Sequence, residues 1–401
     1  MNQSKNYTGP LIIIGILFFC FGFVTWVNGT LIAFFKSSLN LSNVQSLLVT
    51  FAFFISYFVM AIPSSWVLRK TGFKNGMSLG LLIMAVGAIL FVPAAQSQSY
   101  LVFLLGLFLI GTGLALLQTA SNPYVVILGP AESAAQRISF MGVANKTAGI
   151  IAQYIFGAIL LGTAATTEAN PLEKVILPYV LITVALVALA ALIRFSTLPE
   201  IDAENDTNSS TAVAPKSSVW AYPNLVLGVL ALFCYVGAEV IAGDTIINYG
   251  VSKGFAIEEA KLFGTYTLYA MLAGYFAGIL LIPKFLSQQT ALTLSAITGV
   301  LFTIAAIYSS GFTSVLLVAL LGLSNALMWP AIFPLAISGL GKFTKIGSAL
   351  LIMAIAGGAI LPLVYGQLAD AYNTQTAYWV MAPCYLYILY FALVGHKKTS
   401  W

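Results

Sequence analysis

Residues 111–123 read GTGLALLQTASNP, and residues 322–334 read GLSNALMWPAIFP. Laid on each other without a gap, Gly111 meets Gly322, Ala115 meets Ala326, Leu116 meets Leu327, Ala120 meets Ala331 and Pro123 meets Pro334, 211 residues apart. A second pair stands 214 residues apart. FCFGFVTWVNGTLIAFF (19–35) lies on FCYVGAEVIAGDTIINY (233–249), matching Phe19 with Phe233, Cys20 with Cys234, Gly29 with Gly243 and Ile32 with Ile246. Two pairings at nearly one offset, with matching prolines, read as an internal repeat of half the chain.

The repeated unit is apolar. Of 401 residues, 60% are apolar and 7% charged, and the mean hydropathy is +0.97; soluble domains carry about 25% charged residues. Backbone in hydrocarbon must satisfy its own polar groups, which leaves helices or closed barrels. The apolar runs here are continuous and of helical span length rather than alternating over short strands. Cutting at Pro, Gly and polar clusters gives twelve spans: 9–36, 44–69, 74–94, 99–129, 132–163, 174–197, 220–252, 258–283, 287–308, 311–340, 344–371 and 375–395. The run from Pro10 to Phe35 is too long for a signal-peptide apolar region and reads as the first span. The polar stretch 198–218, LPEIDAENDTNSSTAVAPKSS, reads as a flexible linker. The expected organisation is a six-helix bundle at 1–197, a cytoplasmic linker at 198–218 and a second six-helix bundle at 219–401.

With the N-terminus inside, twelve lysines and arginines fall on the inner side, among them Arg69, Lys70, Lys74, Arg137 and Arg194. Four, Lys36, Lys174, Lys253 and Lys261, fall outside. The bias predicts cytoplasmic termini and accounts for the +5 net charge without nucleic acid. Cys20, Cys234 and Cys384 lie inside apolar runs, which argues against a disulfide framework. The one histidine, His396, is in the C-terminal tail, so no histidine metal centre or intramembrane histidine relay is expected. No nucleophile–base dyad spacing suggests an enzyme. Gly274 and Gly278 read as a close helix contact. In LRKTGFKNG (68–76) Arg69 and Lys70 are expected to latch helix ends.

Two parallel six-helix repeats describe the major facilitator architecture: an all-α membrane protein of twelve transmembrane helices in two pseudo-symmetric bundles, with substrate near the midplane and access that alternates by rocking. Charge inside the bilayer is costly, so the few deep polar groups are the candidate site. Lys146 lies nine residues from Arg137, about 13 Å deep at 1.5 Å per residue. Glu239 and Asp244 lie in the seventh span, in the opposite half. A pair of Lys146 with either carboxylate would form in one access state and loosen in another; a permanent structural ion pair is the alternative. Gln118 and Asn122 are one turn apart and share a face, and their amides both donate and accept, as sugar hydroxyls require. Asn325 and Trp329 repeat that spacing in the tenth span, as do Tyr235 and Glu239 in the seventh. Asn28 and Asn145 complete the polar ring; interhelical hydrogen bonding would equally explain each amide. For a cation, Glu239, Asp244, Asn28, Asn145 and Thr147 supply oxygens. Asp370, at the outer end of the eleventh span, reads as interfacial.

At WVNGTL (26–31), LLQTASNPYVVILGP (116–130), CYVGAE (234–239) and LIMAIAGGAILPLVYGQLADA (351–371) the chain resembles the fucose:proton symporter family of the major facilitator superfamily. The likeness runs through all twelve helices. It implies a bacterial inner-membrane, multi-pass, monomeric importer of monosaccharides with a coupled cation, no cofactor, and sugar and membrane lipid as partners. Fucose-transporting members carry an aspartate where this chain has Gly29 and a glutamate where it has Gln118. Their absence draws the chain toward the glucose/galactose branch and inclines the ion toward sodium. Proton-coupled import of fucose or N-acetylglucosamine, and uniport, are the alternatives. On this reading Asn28, Gln118, Asn122, Asn145, Tyr235, Glu239, Asn325 and Trp329 contact sugar, and Lys146, Thr147, Glu239 and Asp244 couple the ion.

Overall fold

A computed structural model describes residues 8–127, 134–162, 170–196, 218–282, 284–340 and 343–401. The described residues are helical throughout, with eleven stretches long and apolar enough to cross a membrane. The longest, Leu48–Gln96, is two spans. At Gly72 the backbone adopts φ 75°, ψ 170°, a conformation that costs glycine little. A Cβ on Gly76 would lie 2.2 Å from the side chain of Leu68, a contact between positions eight apart that a continuous helix does not make. The chain therefore reverses at Gly72 and the count is twelve. The linker expected at 198–218 falls, but for Ser218, outside the described residues.

In order, the spans are Gly9–Ser38, the two within Leu48–Gln96, Tyr100–Ser121, Arg137–Leu160, Pro171–Phe195, Pro223–Asp244, Ile257–Leu281, Gln288–Tyr308, Gly311–Ile337, Ile346–Ala371 and Thr376–Lys397. Leu177, Leu181, Val184 and Leu280 are exposed apolar side chains, as a lipid-facing surface requires.

Small residues let the helices touch, and they do so twice over. A Cβ on Gly111 would come within 2.2 Å of the Phe53 carbonyl oxygen, and one on Gly322 within 2.2 Å of the Thr267 oxygen. Both members of each contact are repeat-related. Likewise Gly22 presses on the Asn145 carbonyl and Gly357 on the Phe233 carbonyl, each at 1.9 Å for an added Cβ. Gly274 and Gly278 seat Ala326 and Leu327 of the tenth span, the close contact expected of them. Arg69 and Lys70 are exposed. The latch at this loop is Lys74, whose Nζ donates at 2.5 Å to the Ser196 carbonyl at the end of the sixth span.

Among the described residues, four polar contacts join the bundles in the structure's outer and middle parts. Asp370 accepts from the backbone N–H groups of Asn43 and Val44 at 2.9 and 3.0 Å and from Asn43 Nδ2 at 2.6 Å. It is thus a bridge between bundles, more than the interfacial group expected. Deeper in, Thr50 Oγ1 donates to Asp244 Oδ2 at 3.3 Å, Lys146 meets Glu239 at 3.1 Å, and the hydroxyls of Tyr154 and Tyr269 lie 3.2 Å apart. All four contacts lie in the middle of the membrane or toward the face away from the N-terminus.

Gly111→Leu is expected to destabilise the protein by roughly 1–3 kcal/mol through overpacking against Phe53. Gly15→Ala, with nothing within 4 Å of its added methyl, should leave the melting temperature in detergent unchanged.

Candidate functional site

Between the bundles lies a cavity of about 170 Å³. At roughly 10–15 Å³ of such space per water it has room for on the order of ten waters, so polar side chains can face it without the cost of bare hydrocarbon. Gln118, Asn145, Lys146, Tyr235, Glu239, Asp244 and Trp329 all line it. Phe18, Ile138 and Pro330 line it too. Phe18 and Ile138 stand in the first parts of the first and fifth spans, and Pro330 in the last part of the tenth, which runs the opposite way, so the cavity runs to the side of the molecule where the first span begins.

Three arrangements organise the lining. Gln118 Nε2 donates to the hydroxyl of Tyr57, 3.0 Å away on the second span. Trp329 is half-buried and stacks on Phe333 at 5.9 Å and 24°, leaving it free to meet a ligand. Lys146 pairs with Glu239 rather than Asp244, with side chains only 8% and 13% exposed. Asp244 accepts instead from Thr50. The lysine has a second neighbour from its own bundle. Its ammonium lies 4.1 Å from the centroid of the Trp26 ring, and Trp26 Nε1 donates to Asn145 Oδ1 at 3.2 Å.

Other expected residues stand elsewhere. Asn28 is buried, outside the cavity lining, and neither atom of its amide has a hydrogen-bond partner. Thr147 is half-buried and outside the lining. Asn325 is fully buried and accepts from the Tyr385 hydroxyl at 2.9 Å. The shared face expected for Asn325 and Trp329 assumes an unbroken helix. The tenth span is in fact two helices, Gly311–Ala326 and Met328–Ile337, separated at Leu327, and the two residues, one on each side of the break, go to different partners. The side chain of Asn122 lies outside the described residues. Sequence reasoning passed over Trp26, Thr50, Tyr57 and Tyr275. None of the aromatics is a charge or an amide within an apolar run, so no contrast of that kind marks them.

An all-helical, multi-pass chain with two matched bundles around a central wet cavity has the form of a membrane transporter. The family model of the Major Facilitator Superfamily matches residues 14–354, and the chain belongs to that superfamily; it is a transporter rather than an enzyme. It is 34% identical over 402 residues to a glucose/galactose transporter of Brucella abortus, covering 99% of this chain and 96% of that one. It is 31% identical over 411 residues to the L-fucose-proton symporter of Escherichia coli, covering 97% and 94%. Among solved structures it is similar to that bacterium's fucose symporter, FucP, in the outward conformation, with a TM-score of 0.74, 29% identity, and 98% and 100% of the chains covered. An inward-facing bacterial homologue of Spinster shares the fold at a TM-score of 0.66 and 15% identity, covering 100% and 99%.

Lys146→Met leaves Glu239 buried without its partner and should cost roughly 3–5 kcal/mol. Adding Glu239→Gln removes the orphaned charge and should recover most of the lost melting temperature in detergent.

Proposed function

We propose that the chain imports a monosaccharide of the glucose/galactose type by proton-coupled symport. The observation that carries this reading is one cavity into which both bundles send amides, aromatic rings and charges. Gln118 with Tyr57, Asn145 and Tyr235 offer donors and acceptors to sugar hydroxyls, and the face of Trp329 takes the apolar side of the ring. The names of the relatives, glucose/galactose transporter and L-fucose-proton symporter, support the substrate class. Asn28, Thr147 and Asn325, which stand outside the cavity lining, are given no contact with sugar or ion.

Asp244 is the candidate proton carrier. It is 3% exposed, lines the cavity, and is bonded across the bundle interface by a neutral hydroxyl rather than a cation. Protonating it would weaken its hold on Thr50 and remove a buried charge before the bundles part. Sodium has less support than the substituted positions Gly29 and Gln118 suggest. The relatives whose names specify an ion name the proton. With the N-terminus cytoplasmic, as the lysine and arginine bias favours, a cavity reaching Phe18 and Ile138 with bridges on the opposite side corresponds to an inward-facing arrangement.

Purified protein in liposomes is expected to accumulate labelled glucose or galactose when the outside is acidified, and not on a sodium gradient alone. Accumulation on sodium alone would replace the proton; equilibration without accumulation under either gradient would leave a uniporter; no uptake of any hexose would defeat the sugar reading. Asp244→Asn should reduce proton-driven accumulation to the level of equilibration while sugar exchange between the two sides continues.

A further inference from the structure

Trp26 stands where the first span breaks, between the helices Thr8–Thr25 and Asn28–Ser38. Gln153 Nε2 donates to its backbone carbonyl at 3.2 Å. Its indole is engaged on every side. The N–H is given to Asn145, and the Lys146 ammonium lies over the ring. A Cβ on Gly149 would lie 2.6 Å from the pyrrole edge, and one on Gly243 would lie 2.7 Å from the benzene edge. Trp26 touches the cavity with only 5% of its surface exposed, too little to serve as a platform for a sugar ring.

The partners divide between the bundles. Trp26, Asn145, Lys146 and Gly149 belong to the first; Glu239 and Gly243, one turn apart, belong to the second. Lys146 therefore has one partner in each. If the bundles rock as near-rigid bodies, the carboxylate of Glu239 moves away from Lys146 while the indole stays. A buried ammonium left with no partner is costly, and tryptophan is the best aromatic partner for a cation. We propose that Trp26 is a positioning residue that carries Lys146 through the transport cycle. Its ring holds the ammonium while Glu239 is away and presents it again when the bundles close. The slots at Gly149 and Gly243 serve this role, since a side chain at either would drive the ring from beneath the lysine. The proposal rests on the transport reading above, in which the Lys146–Glu239 contact breaks and re-forms.

The test uses the full chain in liposomes, with sugar counterflow and sugar binding measured on Trp26→Tyr, Trp26→Phe and Trp26→Met. Methionine fills irregular space without a π face. Exchange is expected to slow about tenfold in Trp26→Met and less in the two aromatic variants, with the sugar Kd within about twofold of wild type throughout. The melting temperatures of Trp26→Phe and Trp26→Met, measured with and without the neutral pair Lys146→Met/Glu239→Gln, give a reading that does not need activity. Their difference should vanish when the ammonium is gone. Equal slowing by Phe and Met, or a thermal difference that persists without Lys146, would reduce Trp26 to packing and overturn the proposal. A wild-type protein that exchanges no sugar would overturn the transport reading instead.

Discussion

One ion pair near the middle of the membrane, Lys146 with Glu239, constrains the rest of this molecule. Neither charge is tolerable there alone, and they come from opposite bundles. Their meeting therefore fixes how the bundles sit against each other. The surrounding features follow from keeping that pair supplied. The cavity brings water to charges that would otherwise face hydrocarbon. The Trp26 ring lies against the ammonium, its centroid 4.1 Å away, and gives its N–H to Asn145. Asp244 lies one turn and one residue beyond Glu239 and takes its hydrogen bond from Thr50, a neutral donor, so the single deep lysine is not shared.

Glycine makes the geometry possible, and it serves two kinds of interface. Within a bundle, Gly111 against Phe53 and Gly322 against Thr267 are the same contact made twice, because the repeat folds each half alike. Between bundles, the repeat-related Gly29 and Gly243 face across the interface. A Cβ on Gly29 would sit 3.2 Å from the Asp244 Cα, and one on Gly243 would enter the Trp26 ring. A position that serves symmetric packing in one repeat becomes, in the pair, the close approach that lets a tryptophan and a carboxylate share the middle of the molecule.

The fold was legible in the sequence because its cause is written in long stretches: continuous apolar runs, matched glycines and prolines at nearly one offset, and a glycine at 72 where the chain reverses. The site was legible where it depends on charge, since a lysine or carboxylate in an apolar run has few places to go. Lys146, Glu239 and Asp244 reach the cavity for that reason, and Gln118, Asn145 and Trp329 reach it with them. It was illegible where it depends on a single residue of helix geometry. On either side of the break at Leu327, Asn325 goes to Tyr385 while Trp329 lines the cavity, and i, i+4 spacing carries no sign of that break. Thr50, Tyr57 and Tyr275 acquire meaning only from partners on other spans, 194 residues away in the case of Thr50. Lys74 displaced Arg69 and Lys70 as the loop's latch for a similar reason: the distance that matters runs to Ser196, not along the loop.

The bridges between bundles are unequal, and the inequality bears on how the molecule moves. Asp370 is exposed where it meets Asn43 and Val44. Water can replace each of those hydrogen bonds as it breaks, so the net change is small even though three are lost together. The mid-membrane contacts have no bulk water beside them to make that exchange. Parting Lys146 from Glu239 in a low dielectric requires a substitute at hand: cavity water, a bound sugar's hydroxyls, or the indole already beneath the lysine. The barrier to rocking therefore belongs to the middle of the protein and not to its outer rim. A ligand entering the cavity acts on the contact that limits motion, which is how occupancy at the centre can govern access at the ends.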